Sequence, residues 1–184
     1  PVAVSVFKNL GYGLASVPKE DIKLRLQSSA TSGTPSTVVV DKITSKRQAK
    51  AMVKVMQEFI GKDRKPFLVM DIDPRSEFRS LLGARFAAIT GYLNFASKSG
   101  FFLKAKNGVS YFDIDAIKEY LTTIPSDQPV VVFGFTYIMY SNVLKAILAK
   151  GEKIQLPKGS KIIHIGGWKK LEAEKVEKSL FNQQ

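Results

Sequence analysis

Three stretches of this chain combine residue types that can do chemistry. The first, Ser28-Ser29-Ala30-Thr31-Ser32-Gly33-Thr34-Pro35-Ser36-Thr37, is dense in hydroxyl side chains and nearly free of apolar ones. A turn of that kind presents O–H and backbone N–H donors to an anion. The second is Phe133-Gly134-Phe135-Thr136-Tyr137, and the third is Ile162-Ile163-His164-Ile165-Gly166-Gly167-Trp168-Lys169. Each of the latter two follows an apolar run and sets glycine beside aromatic or hydroxyl groups, so that a ligand can approach the backbone closely. The same residues have structural readings as well. A Ser/Thr/Gly/Pro stretch is also a solvated loop. His164 on an apolar strand is also a core histidine, and Trp168 also a cover for a helix–sheet seam. Asp71 and Asp73 look like paired carboxylates, but an Asp-Ile-Asp-Pro sequence is turn chemistry. Met52 and Met56 recur at helical spacing and read as core.

Composition removes several alternatives. The chain of 184 residues has no cysteine and one histidine, so it has no disulfide framework, no thiolate nucleophile or metal site, and no zinc site built from imidazoles. Neither a Walker A pattern nor a dinucleotide fingerprint occurs, and Gly-x-Ser-x-Gly is missing. The formal net charge is +12. Lys46, Arg47, Lys50 and Lys54 share one segment and the other cations are spread widely, which reads as solvated faces and argues against nucleic acid as the partner. A non-catalytic basic module for nucleic acid or a phosphorylated partner stays open at this point. The longest apolar run, residues 130–140, is broken by Gly134 and falls short of the roughly 20 residues of a membrane span. There is no signal-peptide pattern. With cysteine absent, a reducing, cytoplasmic setting is the expectation. The start at Pro1, without an initiator methionine, reads as a processed end or a piece of a longer protein.

The elements that must position the three stretches follow from periodicity. Val2, Val4 and Val6 alternate, and residues 1–27 read as a lead-in. Val38-Val39-Val40 is a buried strand. Thr44 is the expected N-cap of a helix whose apolar face is Ala49, Met52, Val53, Met56, Phe59 and Ile60, stopped by Gly61. Residues 66–72 form a strand, residues 76–82 a short helix, and residues 86–92 a strand or a helix that periodicity does not separate. Lys106-Asn107-Gly108 turns a hairpin. Asp113 caps a helix carrying Ile114, Ile117, Leu121 and Ile124. From Pro125 onward the order is strand 130–133, loop 134–137, helix to Gly151, strand 161–165, loop 166–169, and a last helix with Ala173, Val176 and Leu180. The expected fold is α/β, a partly parallel sheet with flanking helices, built as one unit over residues 1–184. Ligands of such sheets bind outside the carboxyl ends of the strands, where loops 134–137 and 166–169 would lie.

In order and spacing, the three stretches resemble the adenylate-forming enzymes. The first is similar to their phosphate loop, Ser-Ser/Thr-Gly-Thr-Thr/Ser-Gly-x-Pro-Lys/Ser. The nearest branch is the acyl-protein synthetase of bacterial bioluminescence, the fatty-acid ligase of the luciferin system. Val6-Phe7-Lys8 and Ala84-Arg85-Phe86-Ala87-Ala88-Ile89-Thr90-Gly91 fit it more loosely, so the resemblance covers nearly the whole chain. It implies a subdomain of the acyl-CoA synthetase-like fold, within the large N-terminal adenylation domain of a longer protein. It implies ATP with magnesium, activation of a fatty carboxylic acid to an acyl-adenylate, and acyl transfer to a thiol of an accepting protein or reductase. On that resemblance Ser28, Ser29, Thr31, Ser32, Gly33, Thr34 and Ser36 hold the phosphates. Gly134, Phe135, Thr136, Tyr137, His164, Gly166, Gly167, Trp168 and Lys169 line the adenine and acyl pocket, with Phe135 and Tyr137 walling the acyl side. His164 is the candidate for a catalytic role, and the metal ligand is expected outside this chain.

Two positions depart from the family's pattern. Ala30 stands where glycine is usual, at a cost of about 1 kcal/mol or more if the site needs positive φ. Ser36 stands where many relatives carry lysine. The family's Tyr-Gly-x-x-Glu stretch, with its magnesium-binding glutamate, and its acyl-accepting cysteine do not occur before Gln184. Turnover by this chain alone is therefore not expected.

Overall fold

The computed structural model describes residues 3–28, 33–75, 83–168, 172–173 and 175–183. They fall into two compact units, residues 1–62 with 77–92, and residues 63–76 with 93–184.

In the first unit, helix α1 (Val4–Asn9) stands where the valine alternation begins, so Val4 and Val6 are helical and not extended. A 3-10 turn follows over Gly11–Leu14, and the Arg25 guanidinium lies 4.5 Å over the Tyr12 ring. Strands β1 (Ile22–Gln27) and β2 (Thr37–Asp41) pair antiparallel, with Gln27 opposite Thr37 nearest the connection. The hydroxyl-rich stretch is thus the connection of a hairpin. Of the three valines in β2 only Val40 is buried, and Val38 is 45% exposed, because a two-stranded ribbon keeps one face in water. Helix α2 (Lys42–Ile60) starts two residues before the expected cap. Asp41 caps it: the Thr44 amide donates to one carboxylate oxygen at 2.7 Å and the Thr44 hydroxyl to the other at 2.8 Å. These bonds hold the Asp41 carboxyl below the usual carboxylate range. Met56 and Ile60 are buried, but Phe59, expected on the buried face, is 68% exposed. Helix α3 (Gly83–Leu93) settles the ambiguity of residues 86–92 and buries Ile89 completely. The short helix expected over residues 76–82 lies outside the described residues.

The second unit is built on a parallel sheet of four strands in the order β4-β3-β7-β8, so the chain is α/β with helices flanking the sheet. Strand β3 (Lys65–Val69) lies between β4 (Ala96–Phe101) and β7 (Val131–Phe135), and β8 (Lys161–Ile165) follows β7. The apolar runs of β3 and β7 are covered on both faces, as interior parallel strands require. After β4 comes the hairpin of β5 (Leu103–Lys106) and β6 (Val109–Phe112), turned at Asn107-Gly108. Helix α4 (Ile114–Thr122) is capped by Asp113, whose carboxylate accepts the Ala116 amide at 3.0 Å. Leu68, Met70 and Val132 of the sheet side pack with Ile114, Ile117, Met139 and Val143 in one core cluster. Each such side chain contributes roughly 1.5–3 kcal/mol on burial.

Strand β7 passes directly into helix, first α5 (Thr136–Ile138), then a π-helical turn (Met139–Leu144), then α6 (Lys145–Ala149). The expected loop 134–137 therefore does not exist. Gly134 and Phe135 are strand residues in register with His164 and Ile165, while Thr136 and Tyr137 open the helix. A methyl on Gly134 would meet the Met139 sulfur at 2.7 Å and Met70 Cβ at 3.1 Å, so the strand end is packed shut. The last helix is also shorter than expected. It is α7 (Lys178–Gln183), and Val176 lies before it. From β3 the chain goes first to β4 on one side and later to β7 on the other. Such a reversal marks the carboxyl ends of the strands as the place where ligands of such sheets bind.

Candidate functional site

The register of β7 with β8 sets Gly134 opposite His164 and Phe135 opposite Ile165, so Thr136 opens its helix beside the end of β8. Thr136 is a buried polar residue at 8% exposure. Its hydroxyl oxygen lies 2.9 Å from His164 Nδ1, 2.8 Å from the Gly166 carbonyl oxygen and 3.3 Å from that of Ile165. The turn there needs φ of +76° at Gly166, a conformation that glycine takes without strain. A Cβ would stay 3.5 Å from the Phe135 ring, so conformation and not space calls for glycine.

An aromatic chain continues from the imidazole. The His164 ring is tilted against Phe181 at 5.0 Å, Phe181 stacks on Tyr140 at 6.2 Å, and Tyr140 meets Trp168 edge-on at 5.1 Å. Trp168 is buried. Two cavities flank this chain. The larger, of about 630 Å³, is lined mainly by apolar side chains, among them Ile117, Val132, Met139, Val143, Ile147 and Ile162. The smaller, of about 330 Å³, is lined by Thr136, Gly166, Gly167 and Trp168 together with Lys175 and Lys178. His164 and Phe181 line both. Partial burial and, after it, the nearby Lys178 ammonium lower the imidazole pKa from its usual value, although His164 on edge strand β8 keeps access to solvent.

The structure thus brings Thr136, His164, Gly166, Gly167 and Trp168 to one cavity. Gly134, Phe135 and Tyr137 line neither cavity; Phe135 instead packs edge-on against Phe133 at 6.3 Å. Lys169 lies outside the described residues, as do Ser29, Thr31 and Ser32. The hydroxyl-rich connection is closed at its base: the Ser28 amide donates to the Ser36 carbonyl at 3.0 Å, and the Ser36 amide donates to Ser28 Oγ at 2.9 Å. Beyond that clasp Gly33 and Thr34 are exposed. Gly33 sits at φ +100°, and a Cβ built there meets nothing within 4 Å.

The competing structural readings hold elsewhere. Asp73 takes the Arg75 amide at 2.9 Å and its guanidinium at 2.8 Å and 3.0 Å, a turn lock. Asp71 is fully buried and accepts the Ile72 amide at 2.6 Å. Met56 is core, while Met52 is half-buried. Lys46, Arg47, Lys50 and Lys54 are all exposed on α2. The apolar cavity and the Lys175–Lys178 side of the smaller one escaped sequence reasoning. Val143 and Ile147 read as an ordinary helix face, and Phe181, an aromatic in a polar tail, is the signal that could have pointed there. Among the described residues no group of three or more His, Asp or Glu could hold a metal ion, and no helix is long and apolar enough to cross a membrane.

A parallel α/β unit with one cavity at the end of β8 and an apolar one along β7 and β8 is a small-molecule-binding architecture. The whole chain, residues 1–184, matches the family described as Acyl-protein synthetase, LuxE, and it belongs to that family. The membership points to a ligase with an acid substrate and an acyl acceptor. No curated protein and no solved structure gives a significant match.

Proposed function

We propose that this chain serves the ATP-dependent activation of a fatty carboxylic acid to an acyl-adenylate and the transfer of the acyl group to a thiol. The observation that carries the reading is the pair of cavities sharing His164. One is apolar and suits an alkyl tail. The other is lined by Gly166, Gly167, Lys175, Glu177 and Lys178, with Lys175 paired to Glu172 at 3.1 Å, and on this reading it takes the charged head beside Lys178. The carboxylate attacks the α-phosphorus of ATP and pyrophosphate leaves; the acyl carbon is then open to the thiol. Charge builds on phosphate oxygens in the first step, and preorganised N–H and O–H donors stabilise it there.

The hairpin connection fits that task. Ser28 Oγ accepts from Ser36 and keeps its own proton for donation, while Gly33 and Thr34 face solvent beyond the clasp. On this reading Ser28, Ser29, Thr31, Ser32, Gly33, Thr34 and Ser36 bind phosphates, and magnesium enters with ATP to neutralise them. Residues 1–184 then form part of an N-terminal adenylation domain. The rival reading, a non-catalytic basic module for nucleic acid or a phosphorylated partner, rests on the net charge of +12 alone. Millimolar Mg-ATP is expected to raise the melting temperature, since a ligand at 100 times its Kd adds about 2.7 kcal/mol to the folded state. An unchanged melting temperature would overturn the ATP assignment.

A further inference from the structure

Thr136 has one hydroxyl proton and three acceptor positions around it. The carbonyls of Ile165 and Gly166 can only accept, and the Gly166 oxygen is the nearer at 2.8 Å. A proton given to that carbonyl leaves the Thr136 lone pairs facing His164 Nδ1 at 2.9 Å, a contact that then requires hydrogen on Nδ1. The reverse arrangement, with the hydroxyl donating to Nδ1, would set two oxygen lone-pair systems against each other at 2.8 Å. The geometry therefore selects the Nδ1–H imidazole and leaves Nε2 bare. The ring itself sits on the wall common to the apolar and the glycine-lined cavities. On the acid-activation reading, a fatty acid with its tail in the first would bring its carboxyl carbon toward that wall.

We propose that Thr136 is a positioning residue that holds His164 in the Nδ1–H tautomer, so that Nε2 takes the proton of the acyl-accepting thiol. The proposal rests on the acid-activation reading above and names the base for its second step. There the S–H proton passes to Nε2, the sulfur–carbon bond forms at the acyl carbon, the carbon–oxygen bond to phosphate breaks, and AMP leaves as an anion. The imidazolium returns its proton to solvent. The charged groups lining the two cavities that share the ring are Lys175, Glu177 and Lys178 on the smaller and Glu152 and Lys153 on the larger, and of these Lys178 acts on the imidazole. Partial burial and, after it, Lys178 lower the imidazole pKa, which favours the unprotonated ring that a base needs.

His164 is the one histidine of the chain, so a long-range proton–nitrogen spectrum of the labelled 184-residue protein reads its tautomer without assignment. The expected pattern is Nδ1–H in the wild-type chain and in Thr136→Ser, with a change toward Nε2–H in Thr136→Val. An Nε2–H pattern in the wild-type chain overturns the proposal, whatever the variants do. The second arm supplies preformed acyl-adenylate and a small thiol, so that ATP activation is not needed. Wild type is expected to accelerate thioester formation, His164→Gln to lose on the order of a hundredfold in kcat, and Thr136→Ser to recover what Thr136→Val loses. The rate should follow the deprotonated imidazole, falling as pH drops through the lowered His164 pKa. A wild-type chain that adds nothing to the background reaction, or a His164→Gln rate equal to wild type, removes the base role. Failure of Mg-ATP to stabilise the fold with this arm intact would instead sink activation and leave the base standing.

Discussion

At Gly134 one methyl group separates a packed strand end from a strained one. The Cβ of an alanine would lie 2.7 Å from the Met139 sulfur, 2.9 Å from Met139 Cγ and 3.1 Å from Met70 Cβ. Met139 can yield, but the Met70 contact lies close to the backbone. Gly134→Ala is expected to cost about 1–3 kcal/mol, the usual range for overpacking, and to lower the urea midpoint at constant slope. An unchanged midpoint would mean that this strand end is not closed as described. Gly134 also shows why part of the site was misread. Sequence marks a glycine after a buried strand as a loop, and nothing local says that it is there to admit a methionine from the next turn of chain. Gly166 gives the opposite case: with positive φ at the end of β8, it is the turn glycine its sequence context announces.

At the scale of elements, local chemistry was legible where a side chain closes its own element. Asp113 before an amphipathic run predicts the cap of α4, and the carboxylate does accept the Ala116 amide at 3.0 Å. Asp113→Ala is expected to cost about 1 kcal/mol in chemical denaturation. Because Ile117 of α4 lines the apolar cavity, the same change should weaken fatty-acid binding more than Mg-ATP binding, and equal losses would contradict the cavity assignment. The apolar runs of β3 and β7 and the Asn-Gly hairpin were equally readable. Strand β4 was not, since Ala-Ser-Lys-Ser-Gly has neither alternation nor β-branched side chains and is held by parallel pairing with β3. Residues 86–92 are apolar at most positions, so only the fold decides for helix. Thr44 reads as the cap of α2 because Asp41, three residues earlier, belongs to strand β2 as well.

For the whole molecule, the legible part of the site is the part built from contiguous residues. His164, Gly166, Gly167 and Trp168 follow one another in the chain and line one cavity. The apolar cavity is assembled from residues between Met70 and Asn182, and its many apolar members, such as Val132, Val143 and Ile147, each contribute a side chain that in isolation reads as core. Its recognition needs the sheet order and the helical stretch after β7. The family match and the paired cavities support one account, in which an acyl chain is buried and its head activated. The measurement that tests this most directly is a calorimetric titration of the chain with acyl-sulfamoyl adenosines, non-hydrolysable acyl-adenylate mimics, in a series of increasing acyl length. The account predicts one site per chain, with binding that tightens by about 0.8 kcal/mol per added methylene until the cavity is full. An absence of binding, or an affinity indifferent to chain length, would contradict it.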